Sequence, residues 1–256
     1  MAKRETNERA AIRVARNIAQ DIHDQKLRPG SLLDPEHVMV EKLGVARATV
    51  REALRFLELQ GALRIKAGPG GGPIVTVPHT EHLASAISLQ LQFANAPFQS
   101  VIDARMSIYP VLAAEAAQKA THQHIQALHE CIKRMRSAVN DSDLLTSEAR
   151  QFHNLVADAA QNLVLGFLIK ALHRMSEGAG IHYDGKQRKA SLEKAERVLS
   201  AVEAGDSEGA RKVTEDMLAA ALRYWKKTAP ELLDEPISWL TAESLSKAAS
   251  PPLKAV

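Results

Sequence analysis

Residues 34–77 read DPEHVMVEKLGVARATVREALRFLELQGALRIKAGPGGGPIVTV, and the order of their signals decides the fold. Asp34 followed by Pro35 marks a helix start: an N-cap oxygen, then a proline whose missing N–H costs nothing in a first turn. Val38, Val40 and Leu43 give that short helix an apolar side, and Gly44 stops it with a residue that accepts positive φ. A tight turn leads into a second helix over 46–60, with Val50, Ala53, Leu54 and Leu57 on its buried face, and Gly61 ends it. Two β-prone runs follow, 63–66 and 74–77, joined by a Gly- and Pro-rich loop. Helix, turn, helix and hairpin in this order predict a winged helix-turn-helix.

The second helix indicates what such a unit contacts. Arg47 and Arg51 are four apart and share one face, with Thr49 at its flank. Arginine suits guanine because its planar fork donates to O6 and N7 together. Two arginines alone fit a solvated charged face better. The capped helix before them, the glycine turn and the glycine-rich hairpin after them favour a face that reads DNA. In the wing, the backbone at Gly68 and Gly70 can approach a phosphate or the minor groove, where the bland alternative is a flexible connection. Arg64 and Lys66 are then phosphate-anchoring candidates, giving affinity rather than specificity.

The run EKLGVARATVREALRFLELQGAL with its glycine-rich wing resembles the DNA-binding domain of the GntR family of bacterial transcription regulators. The resemblance extends over about residues 8–227 and points to the FadR subfamily, with its helical FCD effector domain. It implies a ligand-responsive regulator without catalytic activity, a repressor that binds a palindromic operator as a homodimer. Arg47, Thr49 and Arg51 fall on positions that contact DNA in that subfamily. His37 stands where the family commonly has arginine, and Ala46 where a small hydroxyl residue often sits. The shorter reach and pH-dependent charge of His37 imply an altered preference at the outer operator bases.

Composition sets bounds. The chain of 256 residues is 45% hydrophobic, 25% charged and only 4% aromatic, which suits two ordinary helical domains. The net charge of +3 says little, but residues 1–78 hold 13 Lys and Arg against 9 Asp and Glu, and the remainder 20 against 21. A basic first module on a near-neutral second one fits attraction of phosphate by one domain only. The single cysteine, Cys131, excludes an internal disulfide framework and fits a reducing cytoplasm. No apolar run approaches the roughly 20 residues of a membrane span, and no membrane contact is expected.

In order, a first helix over 8–25 carries Ile12, Ala15, Ala19 and Ile22, and Pro29-Gly30 breaks it. Residues 1–78 form the winged helix-turn-helix domain, and residues 79–229 an all-α bundle of about six or seven helices, giving a mainly α fold with one small β-hairpin. The bundle helices are expected at 80–95, 98–119 (bent at Pro110), 121–139, 142–161, 163–176, 187–204 and 207–227, with Thr121 as an N-cap. Residues 230–256 form an extension in which Ile237, Trp239 and Leu240 dock a short helix and about the last eight residues are disordered.

FCD domains often hold a divalent metal through one Asp and three His beside a carboxylate ligand. Here the resemblance aligns His153 with the first histidine, but Ala149, Ala195 and Met217 stand at the other three positions. No metal is therefore expected, and no cofactor. His122, His124 and His129 read as solvated residues of a surface helix. The resemblance places a small-molecule effector among Arg105, Tyr109, His153 and Met217, and the loss of three polar ligands implies a roomier, more apolar site. An acyl-CoA, fatty acid or other hydrophobic acid is the expected effector. A helical enzyme with an accessory DNA-binding domain finds no support in a Ser–His–Asp grouping or phosphate-binding loop, and a pure dimer surface would be more apolar than one carrying Arg47 and Arg51.

Overall fold

The structure is a computed structural model and describes residues 2–68, 70–176 and 183–249. It divides into two units, residues 1–82 and 83–256. The boundary expected after residue 78 falls after His82, in the first turn of the helix Thr80–Phe93.

In the first unit, α1 (Ala2–Asp24), α2 (Glu36–Leu43) and α3 (Arg47–Leu59) precede the antiparallel strands β1 (Leu63–Lys66) and β2 (Gly72–Val75). Val50, Ala53, Leu54 and Leu57 recur at the i, i+3, i+4, i+7 spacing along α3, and all four are buried. They share a core with Val14, Ala15 and Ile18 of α1 and Met39 of α2. The buried stripe of α1 is thus Ala11, Val14, Ala15 and Ile18, while Ile12 is 39% exposed. Two stripes one residue apart competed on that helix, and the one carrying Val14 and Ile18 faces α3. Helix α2 starts later than the Asp34 cap implied: Pro35 is its N-cap, and Asp34 instead accepts a 2.6 Å bond from Lys42 Nζ. Gly44 closes α2 in the left-handed region (φ 62°), as expected.

The wing pairs Leu63 with Val75 and Lys66 with Gly72, so β2 begins two residues before the expected 74. Its outer edge is not left open. Residues 30–33 run beside it, with Gly30 N donating to Val75 O at 2.9 Å and Leu33 N to Pro73 O at 2.8 Å. Pro73 is buried, and its carbonyl still accepts although it has no N–H to give.

The second unit carries seven bundle helices: α4 (Thr80–Phe93), α5 (Gln99–Lys119), α6 (His122–Ser137), α7 (Ser142–Ala159), α8 (Leu163–Met175), α9 (Gly185–Glu203) and α10 (Ser207–Thr228). Side-chain caps at Thr121, Asp141, Asn162, Asp184 and Asp206 hold the N-termini of α6 to α10. Thr121 was legible as a cap in the sequence, whereas the caps at Asn162 and Asp184 come from the structure. α5 is the central helix and packs against α7, α8, α9 and α10. It runs through the buried Pro110 as one helix. α5 and α10 lie antiparallel: Phe98 stacks on Trp225 with ring centroids 6.3 Å apart. At the other end a Cβ on Gly205 would stand 3.7 Å from the Ala117 carbonyl oxygen. That register sets Arg105 and Tyr109 across from Met217 and Thr214.

The extension is a strap. After α11 (Pro230–Asp234), Glu235 O accepts from Phe98 N and Ile237 N donates to Ala96 O, both at 2.9 Å. Leu240 N and Trp239 Nε1 donate to Ser88 Oγ and Ser85 Oγ of α4 at 3.0 Å. Leu233, Ile237 and Leu245 of α12 (Ala242–Ala249) are buried, whereas Trp239 stays half-exposed and docks by its indole N–H. The disorder expected at the end of the chain concerns residues 250–256, outside the described residues. Ile237→Ala is expected to lower unfolding stability by about 2–4 kcal/mol in urea titrations, because it empties a buried site between strap and bundle.

Candidate DNA-recognition face and ligand-binding interior

The first turn of α3 presents Arg47 and Arg51, with side chains 66% and 63% exposed. Both are tethered by one acid. Glu36, in the first turn of α2, accepts from Arg47 Nε at 2.7 Å and from Arg51 Nε at 3.1 Å through its two carboxylate oxygens. Burial alone would raise the Glu36 pKa, but the hydrogen bonds and charges of Arg47 and Arg51 hold it below the ordinary carboxylate value. Nothing in the linear spacing revealed Glu36, since it lies 11 and 15 residues from its partners and only the turn between α2 and α3 brings them together.

His37, next to Glu36 in the chain, is exposed. Thr49 is not. It is 4% exposed and belongs to the buried side of α3, so its assignment as a direct side-chain contact is corrected: it supports the face from beneath. Two positions on from Arg47 is a rotation of about 200° around a helix, which the flank reading overlooked. On the wing, Arg64 and Lys66 are exposed, and Gly68 and Gly70 adopt φ of 93° and 71°. Gly71 N donates to Gly68 O at 2.9 Å, forming a tight turn. A Cβ on Gly71 would stand 2.2 Å from the Lys66 carbonyl oxygen, so that turn requires glycine.

In the second unit Arg105, Tyr109 and His153 lie among residues that the sequence reading missed. Tyr109, only 1% exposed, bonds through its OH to His153 Nδ1 at 2.8 Å. Their rings meet edge-on, 4.9 Å apart. His173, 4% exposed, stands 5.6 Å from the His153 ring, with its Nδ1 3.0 Å from Asn154 Oδ1. Arg105 donates from Nη1 to Ser176 Oγ at 3.1 Å, while its Nε is enclosed without a partner. Thr214 Oγ1 is likewise buried and unpartnered. Tyr183 accepts from Trp225 Nε1 at 3.1 Å, and Met217 is buried. Helical periodicity puts His173 and Ser176 three apart on one face of α8, but only the packing of α8 on α5 makes them neighbours of Arg105.

Charge in this interior is scarce and one-sided. Burial lowers the Arg105 pKa to about 10, partly offset by Tyr183 and Tyr109, and the guanidinium stays charged. Burial, then Arg105, lowers His153 to about 3, and the same two causes lead the lowering of His173. Both imidazoles are neutral near pH 7. The interior is therefore more polar than the loss of three metal-ligand residues implied.

The residues present do not suit a metal. Ala149 and Ala195 have no donor atom, and a Met217 thioether is a weak ligand for a hard or borderline cation. Among the described residues no three His, Cys, Asp or Glu gather as a metal set. Glu148 pairs with Arg134 at 2.9 Å. His122 is exposed, and His129 lies 3.2 Å from Glu203. His124 has a role that was not foreseen: its Nδ1 accepts from Thr121 N at 3.2 Å and completes a capping box. Cys131 is buried, its thiol pushed up to about 11 chiefly by burial, and acts as a small core residue.

Comparison with known proteins agrees with both units. Residues 10–71 match the family of bacterial regulatory proteins, gntR family, and residues 100–220 match the FCD domain. The HTH-type transcriptional regulator LutR of Bacillus subtilis is 28% identical over 192 residues, covering 72% of this chain and 87% of that protein. Mce2R, an HTH-type transcriptional regulator of Mycobacterium tuberculosis, is 24% identical over 216 residues, covering 81% and 88%. A solved Streptococcus agalactiae GntR structure superposes with a TM-score of 0.66 at 19% identity, covering 83% of this chain and 99% of that one. That structural likeness bears on the fold alone.

These two histidines link stability to pH. His153 and His173 take a proton in the unfolded chain near pH 6.5 but resist it when folded, so unfolding gains protons and stability falls as pH drops below about 6.5. The loss is expected to approach ~1.4 kcal/mol per pH unit for each histidine, continuing toward the His153 folded value of about 3. Urea unfolding at pH 7.5, 6.5 and 5.5 checks it: the slope should flatten in His153→Gln.

Proposed function

A gntR-family domain joined to an FCD domain makes this chain a transcription regulator of the GntR family, and from that premise we propose a FadR-type, ligand-responsive repressor that binds a palindromic operator as a homodimer. The matched families and relatives are regulators, not enzymes. One observation carries the proposal. Arg47 and Arg51 stand exposed on α3, above an otherwise apolar buried face, where a recognition helix offers guanidinium forks to guanine in the major groove. His37 flanks them, and Arg64, Lys66, Gly68 and Gly70 supply backbone contacts from the wing.

A single recognition helix reads only a few base pairs. Two copies related by a two-fold axis, with half-sites about 34 Å apart, give the length and symmetry an operator needs. No helix among the described residues is long and apolar enough to cross a membrane, which is compatible with a cytoplasmic regulator. Selection of duplexes from random DNA is expected to return a palindrome containing guanine, and Arg51→Ala should cost about 1–3 kcal/mol at that guanine. Enrichment without a motif, or affinity that only tracks salt, would contradict specific readout.

The effector reading rests on the second unit. Arg105 Nε and Thr214 Oγ1 are buried polar atoms without partners, and an unmet buried donor costs ~1–3 kcal/mol. Across the α5–α10 pair, a carboxylate or similar acid group of a ligand would satisfy Arg105, while the apolar surroundings of Met217 accept its hydrocarbon part. Our reading of the ligand is an acyl-CoA, fatty acid or other hydrophobic acid, held without a metal. A difference of ~1–3 kcal/mol in ligand affinity between two states of the chain suffices for control. Medium-chain fatty acids are expected to raise the thermal midpoint of the wild type and not of Arg105→Met. Stabilisation only by small hydroxy acids with added divalent cation would refute this effector class.

A further inference from the structure

Glu36 touches both recognition arginines. Its Oε1 lies 2.7 Å from Arg47 Nε and 2.9 Å from Arg51 Nε, and its Oε2 accepts from Arg51 Nε at 3.1 Å. Its side chain is 24% exposed, against 66% and 63% for the two arginines. A long exposed arginine ordinarily samples many rotamers, and holding it to one base edge costs that freedom. Here a single carboxylate, held on α2, restrains two such chains before any DNA arrives.

The atoms used matter. Both bonds run through Nε, which leaves the terminal amino groups of each guanidinium for the O6 and N7 of a guanine. Because both arginines share one carboxylate, the distance between their forks is set, and with it the spacing of the bases they accept. The carboxylate has a second effect. Phosphates repel it, so it weakens attachment to any duplex whose bases do not repay the approach.

We infer that Glu36 is a positioning residue that sets operator discrimination, by ordering Arg47 and Arg51 for paired guanines while opposing non-specific attachment. The inference rests on the reading that these two arginines contact DNA. It is distinct from a simple stability role, because an exposed ion pair of this kind contributes little to folding.

The test measures affinity of the full chain for a selected operator, for the same operator with its guanines replaced, and for a scrambled duplex, across several salt concentrations. Glu36→Gln keeps the side-chain shape and removes the charge. It is expected to lower the ratio of operator to scrambled affinity about tenfold, with scrambled binding unchanged or tighter. Glu36→Asp keeps the charge but is one methylene shorter and should fall between the two, and it carries the comparison if the amide variant does not fold. Equal weakening on all three duplexes, or an unchanged ratio, overturns the inference. Tighter operator binding at an unchanged ratio overturns it too, since Glu36 would then only sequester the arginines. A wild-type protein indifferent to guanine replacement would instead remove the DNA reading, and this inference with it.

Discussion

Helix α5 is surrounded, and the second unit is organised by that constraint. Four helices pack against it, and Val101, Ile102, Tyr109, Leu112, Ala113, Ala116 and Ala117 are buried on several of its sides. A helix enclosed in this way is expected to be apolar all round. Arg105 breaks the rule. Its guanidinium enters a space with Ser176 as its hydrogen-bonded partner among the described residues, and its field helps keep His153 and His173 neutral. The alanine-rich half of α5 beyond Leu112 permits close helix approach, and the long α5–α10 pairing then holds the polar half in place.

The two units treat arginine in opposite ways. In the first, Arg47 and Arg51 are exposed and shared by Glu36, an arrangement worth little in stability because water screens it. Its consequence is geometric. In the second, Arg105 is desolvated, and its cost is met neither by an ion pair among the described residues nor by a full set of hydrogen bonds. On the proposed reading, the first face meets a polyanion that arrives with its own counterions, and the second interior a hydrophobic acid that must leave water.

The strap adds a constraint on α4. Ser85 and Ser88 bond to residues more than 150 positions later in the chain, and Leu233, Ile237 and Leu245 bury themselves against the bundle. The final segment is thus part of the second unit's core rather than an appendage. It holds α4, whose first turn spans the boundary between the units.

Local chemistry was enough to read much of this chain. The helix-turn-helix, the wing and seven bundle helices follow from glycines that accept positive φ, from capping residues such as Thr121 and Asp141, and from apolar residues at 3.6 spacing, because each of these acts within a few residues of itself. Arg47 and Arg51 were legible as an exposed face for the same reason, whereas His37 was singled out only by the family resemblance. Thr49 was misjudged because which flank of α3 is covered depends on α1 and α2, and the burial of Ile12's neighbours rather than Ile12 depends on where α3 lies. Glu36 beside two arginines, and His173 and Ser176 beside Arg105, are decided by tertiary structure alone. They are meetings of side chains distant in sequence, and no local propensity records which distant residues packing will bring within a hydrogen bond of one another.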